Sequence, residues 1–249
     1  MKRLFNIILA LLLTSTIFAQ DDLLRKANEL YTKDQFKEAI DVYNQILMSN
    51  LESPEVYFNL GNAYYKTKQY PLAILNYERA KLLSPDDEDI DFNLQVANQH
   101  VVDSIQELPG IFFVRWWNSL VNSQTTDTWA LISIFSFLLF LILGGLYFFA
   151  RSGDIRRTAF WTASFLFIFS MMTWSFASQQ KSRLVDHTQA IVMDPTVTIK
   201  SSPSEKGTNL FVVHEGLKVK ITDKVGDWLE VRLADGKKGW LTTESIERI

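Results

Sequence analysis

The chain has 249 residues, 21% of them charged, and a formal net charge of −3. With no long Lys/Arg block, that balance argues against a nucleic-acid surface or a strongly acidic partner. Cysteine is absent, which excludes disulfides, thiolate metal sites and a cysteine nucleophile.

Residues 1–19 read as a secretory signal peptide. Lys2 and Arg3 precede an apolar run from Leu4 to Leu13, and Ala19 supplies the small residue before the cleavage point. The run falls short of the roughly 20 residues that span a bilayer comfortably. An uncleaved signal anchor is the alternative; either one exports the chain beyond it.

Residues 20–107 contain a repeat. Phe36 and Tyr70, Ala39 and Ala73, Ile40 and Ile74, and Tyr43 and Tyr77 pair at a single offset of 34 residues, the period of the tetratricopeptide repeat (TPR). The second copy, with Tyr57, Leu60, Gly61, Tyr64, Ala73, Tyr77, Ala80 and Pro85, resembles a TPR at its characteristic positions. The first copy is degenerate, with Leu23, Ala27 and Leu30 in place of Tyr57, Gly61 and Tyr64. Small residues let paired helices cross closely, and Pro85 stops a helix. Residues 86–105 place Ile90, Leu94, Ala97, Val101 and Ile105 on one stripe, the expected cap for the open end of the array. The carboxylates that begin this helix (Asp86, Asp87, Glu88, Asp89 and Asp91) suit its dipole better than a metal site.

TPR arrays form a groove that holds an extended peptide or a partner helix. Asn28, Asn59, Asn62 and Asn93 fall at first-helix positions expected to face it, and are the candidate protein-binding residues: a row of amides can bond a peptide backbone. Solvated helix surface is the alternative. Asn28 and Asn59 match two positions of the TPRs that clamp a C-terminal carboxylate, but Leu24, Asp89 and Asn93 stand where those have Lys or Arg. Carboxylate specificity is therefore not expected of this groove.

Two apolar stretches come next in the chain. Residues 129–150, about 33 Å long as a helix, and residues 158–177 are each expected to cross the membrane. The loop between them, 151–157, holds Arg151, Arg156 and Arg157 against Asp154, which marks it as cytoplasmic. With the signal peptide, this places both flanking domains outside the cytoplasm, on a protein of the inner (cytoplasmic) membrane. Residues 108–128, with Phe112, Phe113, Arg115, Trp116 and Trp117, suit an interfacial elbow against membrane lipid. Residues 178–186 read as a linker.

From His187 to Ile249 the pattern alternates in twos. Expected strands are Ala190–Met193, Val197–Lys200, Leu217–Thr222, Trp228–Leu233 and Gly239–Thr242, with a hairpin turn at Asp235-Gly236. The runs from Gly226 to Val231 and from Asp235 to Leu241 resemble the bacterial SH3 (SH3b) domain, while Lys200 and Ser202 depart from its usual Arg and Gly. Trp240 is the candidate ligand-binding residue, suited to stacking on a sugar or a Pro-rich peptide; a structural aromatic is the alternative.

His100, His187 and His214 lie far apart, and no phosphate-binding loop, G-x-S-x-G or HExxH motif occurs. No catalytic, cofactor-binding or metal residue is assigned, no cofactor is expected, and the chain reads as a non-enzyme. The fold expected is a multidomain membrane protein: an all-α TPR array, a two-helix transmembrane hairpin and an all-β SH3-like barrel. This order resembles the BatE-type TPR proteins of the Bacteroides aerotolerance operon. The resemblance implies von Willebrand A-domain membrane proteins and a MoxR-type ATPase as partners, and a role in envelope integrity or stress tolerance. Two functions stand: a scaffold that binds proteins through its TPR groove, or a receptor that binds peptidoglycan through SH3b.

Overall fold

The computed structural model describes residues 22–49, 52–103, 105 and 111–249. The expected signal peptide, residues 1–19, lies outside them. The chain forms two compact units: one combines the residues before Pro109 with His187–Ile249, and the other is Pro109–Asp186.

Among the described residues, the first unit opens with five helices, α1 (22–32), α2 (Phe36–Met48), α3 (Pro54–Lys66), α4 (Tyr70–Leu83) and α5 (Glu88–Asn98). The pairs α1/α2 and α3/α4 are the two repeat copies. Each turns at the same repeat position through a left-handed residue, Asp34 (φ 58°) or Lys68 (φ 62°). The next amide reaches back over the helix end, Gln35 N–H to Leu30 O at 3.0 Å and Gln69 N–H to Tyr64 O at 2.9 Å, which satisfies a carbonyl of the last turn. Ser53 caps α3 by accepting from Val56 N–H, with Pro54 in the first helical turn. Asp87 caps α5, so that carboxylate does the work expected of the acidic run.

The C-terminal module of this unit is one antiparallel sheet of seven strands: β1 (Gln189–Val192), β2 (Thr196–Lys200), β3 (Asn209–His214), β4 (Lys218–Val225), β5 (Trp228–Arg232), β6 (Lys238–Thr242) and β7 (Ile246–Arg248). Their order is β3-β2-β6-β5-β4-β1-β7. All seven contribute to one buried cluster that includes Val192, Ile199, Val213, Leu229, Leu241 and Ile246. Strands β3 and β7 were not among the five expected. In β3, Leu210 and Val212 are exposed while Val213 is buried, so apolar residues on both faces hide the alternation. β7 is only three residues long.

The two modules of this unit share a core. Along β1, Ala190 and Val192 point into the sheet's cluster. Ile191 between them is fully buried and packs with Ile249 among Ala73, Ile74, Leu94 and Ala97 of α4 and α5. The capping helix expected over residues 86–105 ends at Asn98, with Val101 and Ile105 packing beyond it as non-helical chain, and it shares its task with β1 and Ile249. Polar contacts ring this packing. Lys218 Nζ donates to Glu78 at 2.6 Å, Arg79 donates to Glu247 and to Arg248 O, and the His214 N–H donates to Asp103 Oδ2 at 2.6 Å.

The second unit contains α6 (Phe112–Val121), α7 (Thr126–Phe149) and α8 (Gly153–Asp186). No Gly or Pro interrupts α8 after its first residue, so most of the expected loop 151–157 and all of the expected linker 178–186 are helical. Helices α7 and α8 meet through small side chains. Ser133 Oγ donates to Ser170 O at 3.0 Å, and Ser170 Oγ returns a bond to Ser133 O at 2.9 Å. Their large apolar residues point outward, Phe135 64% and Phe149 88% exposed. That is the reverse of a soluble core helix, and both helices are long and apolar enough to cross a membrane. Gln180 ties α6 and the α6–α7 turn to α8, its Nε2 donating to Val121 O and Gln124 O at 2.7 and 2.8 Å.

Candidate protein-binding groove

The four candidate asparagines come from the first helix of each repeat: Asn28 on α1, Asn59 and Asn62 on α3, and Asn93 on α5. The structure links them in two equivalent sets. Asn28 Oδ1 accepts from Tyr43 Oη at 2.6 Å and from Asn59 Nδ2 at 3.2 Å. One repeat later, Asn62 Oδ1 accepts from Tyr77 Oη at 2.7 Å and from Asn93 Nδ2 at 3.2 Å. Each first-position Oδ1 therefore carries two bonds, one from its own repeat's second helix and one from the next repeat's first helix. Freely solvated helix surface does not describe these residues.

The tyrosines that hold this ladder are buried, Tyr43 and Tyr77 at 1% exposure each. Burial is the main reason their hydroxyls titrate above the ordinary phenol range, which keeps both as donors. Tyr57 is pushed up to about 12, first by burial and then by a hydrogen bond and the negative charge of Glu52, against the opposing Arg79. The Tyr77 ring also explains Gly61. A Cβ there would come within 2.7 Å of Tyr77 Cδ1 and Cε1, so a bare Cα lets α3 and α4 close on each other.

Two hollows open beside the ladder. One, of about 370 Å³, is lined by Leu24, Arg25, Asn28, Glu29 and Thr32 of α1. The other, of about 300 Å³, joins Tyr31 of α1, Asn62 and Tyr65 of α3, and Asn93 of α5. Among the described residues, Asn28 and Asn62 keep Nδ2, and Asn59 and Asn93 keep Oδ1, without a side-chain or backbone partner. A donor and an acceptor in each set suit the two polar groups of a peptide unit. His100 is no part of this surface: it stacks on Tyr70 with ring centroids 3.9 Å apart and meets the Tyr65 hydroxyl.

In the SH3-like sheet, Trp240 lies opposite Lys200 on one side and Glu230 on the other. Leu229 and Leu241 point into the core, so Trp228 and Trp240 share the other face, both half-buried and diagonal to each other. Lys200 Nζ lies 5.7 Å from the centroid of the Trp228 ring. The two indoles are thus surface residues of this module and not part of its core.

The residues that join the repeats to the sheet (Glu78, Arg79, Asp103 and Ile191) were not among the expected functional positions. A signal for them exists at the repeat offset. Exposed Asp41 of α2 corresponds to buried Leu75 of α4. A repeat that turns apolar on its outer face has something to cover it.

Comparison with protein-family models agrees with both modules. A tetratricopeptide repeat model matches residues 54–87, a TPR repeat model matches 27–68, and a bacterial SH3 domain model matches 195–247. Strand β1 and Ile249, which dock the sheet onto α4 and α5, lie outside the matched range. No curated protein matches the chain. The chain carries TPR repeats and a bacterial SH3 domain, modules that typically bind proteins and cell wall, respectively, and are typically non-catalytic.

Proposed function

We propose that this protein is a membrane-anchored scaffold, not an enzyme, whose TPR groove holds an extended segment of a protein partner outside the cytoplasm. The observation that carries this reading is the asparagine ladder. Tyr43 and Tyr77 fix Asn28 and Asn62, which in turn hold Asn59 and Asn93, with one donor and one acceptor left over in each set, so binding costs little side-chain ordering. The outward apolar surfaces of α7 and α8 support anchoring in the inner membrane. The Arg-rich turn and the expected signal peptide support an extracytoplasmic position for both flanking modules. The exposed Phe112, Phe113, Trp116 and Trp117 of α6 support contact with lipid. The BatE-type resemblance adds von Willebrand A-domain proteins and a MoxR-type ATPase system as partners, in envelope integrity or aerotolerance.

A second reading is favoured by Trp228 and Trp240 on one open face: a receptor that holds peptidoglycan through SH3b. Co-purification from detergent separates the two. Asn59→Ala with Asn93→Ala removes two half-buried amides whose hydrogen bonds contribute about 0.5–1.5 kcal/mol each, so partner capture should fall about 5- to 150-fold. Trp240→Ala should leave it unchanged. Full capture by the folded asparagine variant, with muropeptide retention lost in Trp240→Ala, would replace the scaffold by the receptor. Alkaline phosphatase fused after Ile249 should be active and the same enzyme inserted at Ser152 inactive; the reverse would overturn the membrane orientation.

A further inference from the structure

Where the repeats meet the sheet, a cleft of about 630 Å³ opens between α4, α5 and the strands β1, β4 and β5. Its volume lies within the range of roughly 300–1,000 Å³ of ligand sites. Its apolar floor comes from both modules, Leu94 and Val101 on one side and Leu217 and Leu233 on the other. Its charged groups are mostly neutralised by partners. Glu78 pairs with Lys218 and Lys81 with Asp91, while Asp103 accepts from the His214 N–H and meets its ring.

Two cations are left over. Lys220 and Arg232 are direct cross-strand partners on β4 and β5, and Gln189 of β1 is the partner of Lys220 on its other side. The three side chains form one row across three strands, and all line the cleft. Neither cation makes a direct ion pair among the described residues: Lys238, the next cation in the row, bonds Glu230, and Arg232 only adds a smaller share to the attraction that lowers the Glu230 carboxyl. Like charges placed directly opposite destabilise a sheet, so the Lys220–Arg232 pair works against the fold that holds it. A bound anion would reverse the sign of that contribution.

We propose that this cleft binds the C-terminus of a polypeptide, with the terminal α-carboxylate on Lys220 and Arg232 and an apolar last side chain on the floor between the modules. Asn98 and Gln189, both in the lining, supply amides for the last peptide unit. The groove of the asparagine ladder has Leu24, Asp89 and Asn93 where carboxylate-clamping TPRs carry Lys or Arg, so the two surfaces recognise different parts of a chain: the middle of a segment and its end.

The test uses the full chain in detergent and a fluorescein-labelled pentapeptide ending in Ala-Val-Leu, as the free acid and as the C-terminal amide, read by fluorescence anisotropy. The free acid should bind at least tenfold more tightly than the amide, and a terminal Leu-to-Gly change in the peptide should also weaken binding about tenfold. Lys220→Gln with Arg232→Gln should bring the acid down to the level of the amide while its circular dichroism matches wild type and its melting temperature does not fall. Lys237→Gln, which removes an exposed cation outside the cleft, should change nothing. Asn59→Ala with Asn93→Ala should leave this binding intact, which separates the cleft from the groove. Equal binding of acid and amide, no saturable binding of either, or an unaltered Lys220/Arg232 variant would overturn the proposal.

Discussion

The Tyr77 side chain does two jobs at once: its hydroxyl donates to Asn62 Oδ1 at 2.7 Å, and its ring fills the space left by the missing side chain of Gly61. The repeat's helix crossing and its polar ladder therefore rest on one residue. Gly61→Leu would force the ring away and is expected to cost about 1–3 kcal/mol. Thermal unfolding of the full chain in detergent, followed by near-ultraviolet circular dichroism, measures this. A melting curve unchanged from wild type would show that the α3–α4 contact is looser than described.

The asparagines of the ladder are not equivalent. Asn62→Ala leaves the buried Tyr77 hydroxyl without an acceptor, at an expected cost of about 1–3 kcal/mol. Asn59→Ala removes only a donor to Asn28 and should cost about 0.5–1.5 kcal/mol. Denaturant midpoints of the two variants should rank in that order. Asn59 stable to replacement and Asn62 equally so would place the Tyr77 hydroxyl in contact with water.

Much of this was legible in the sequence and some was not, for identifiable reasons. The 34-residue offset exposed α1 to α4 because a stacked repeat must place the same small and large side chains at each crossing. The two long helices were legible from apolar length alone. The course of α8 through Gln179, Gln180 and Lys181 was not, because polar composition argues for a linker while the absence of Gly and Pro leaves a helix free to continue. Strand β3 was hidden by apolar residues on both of its faces. At the candidate site, the spacing of the asparagines was visible, but their bonds to Tyr43 and Tyr77 depend on helix packing that spacing does not encode. The docking of β1 on α4 joins residues more than a hundred positions apart, and its only local trace is Leu75 in the place of Asp41.

Docking can be loosened without touching the sheet's own core. Ile191 packs on α4 and α5, while its neighbours Ala190 and Val192 face the sheet's cluster. Ile191→Ala is expected to destabilise the contact by about 2–5 kcal/mol. Amide hydrogen exchange should rise along α4 and stay at wild-type levels in β5. Equal loss of protection in both would mean that the two modules unfold as one.

The buried phenols set an alkaline limit. A folded-state pKa above the unfolded one stabilises the protein fully below the unfolded value, and that contribution is lost as pH rises toward the folded value. For Tyr57, raised to about 12 from the ordinary phenol value of 10.0, the window runs from pH 10 to 12. There each such tyrosine removes about 1.4 kcal/mol per pH unit. Tyr43 and Tyr77, shifted in the same direction, continue the loss at higher pH. Phenolate absorbance should therefore appear in two phases, exposed tyrosines first and the rest together with the loss of helix. A single phase near pH 10 with helix retained would contradict the burial of these rings.

Because Ile191 shares a core with α4, the segment between them, Pro109–Asp186, leaves a folded body and returns to it. A chain that leaves one side of a bilayer and comes back to the same side crosses it an even number of times. The two membrane crossings proposed for α7 and α8 satisfy that parity. A variant with one span deleted would be confronted with a choice between inserting its remaining helix and keeping Ile191 on the repeats, since no odd number of crossings allows both.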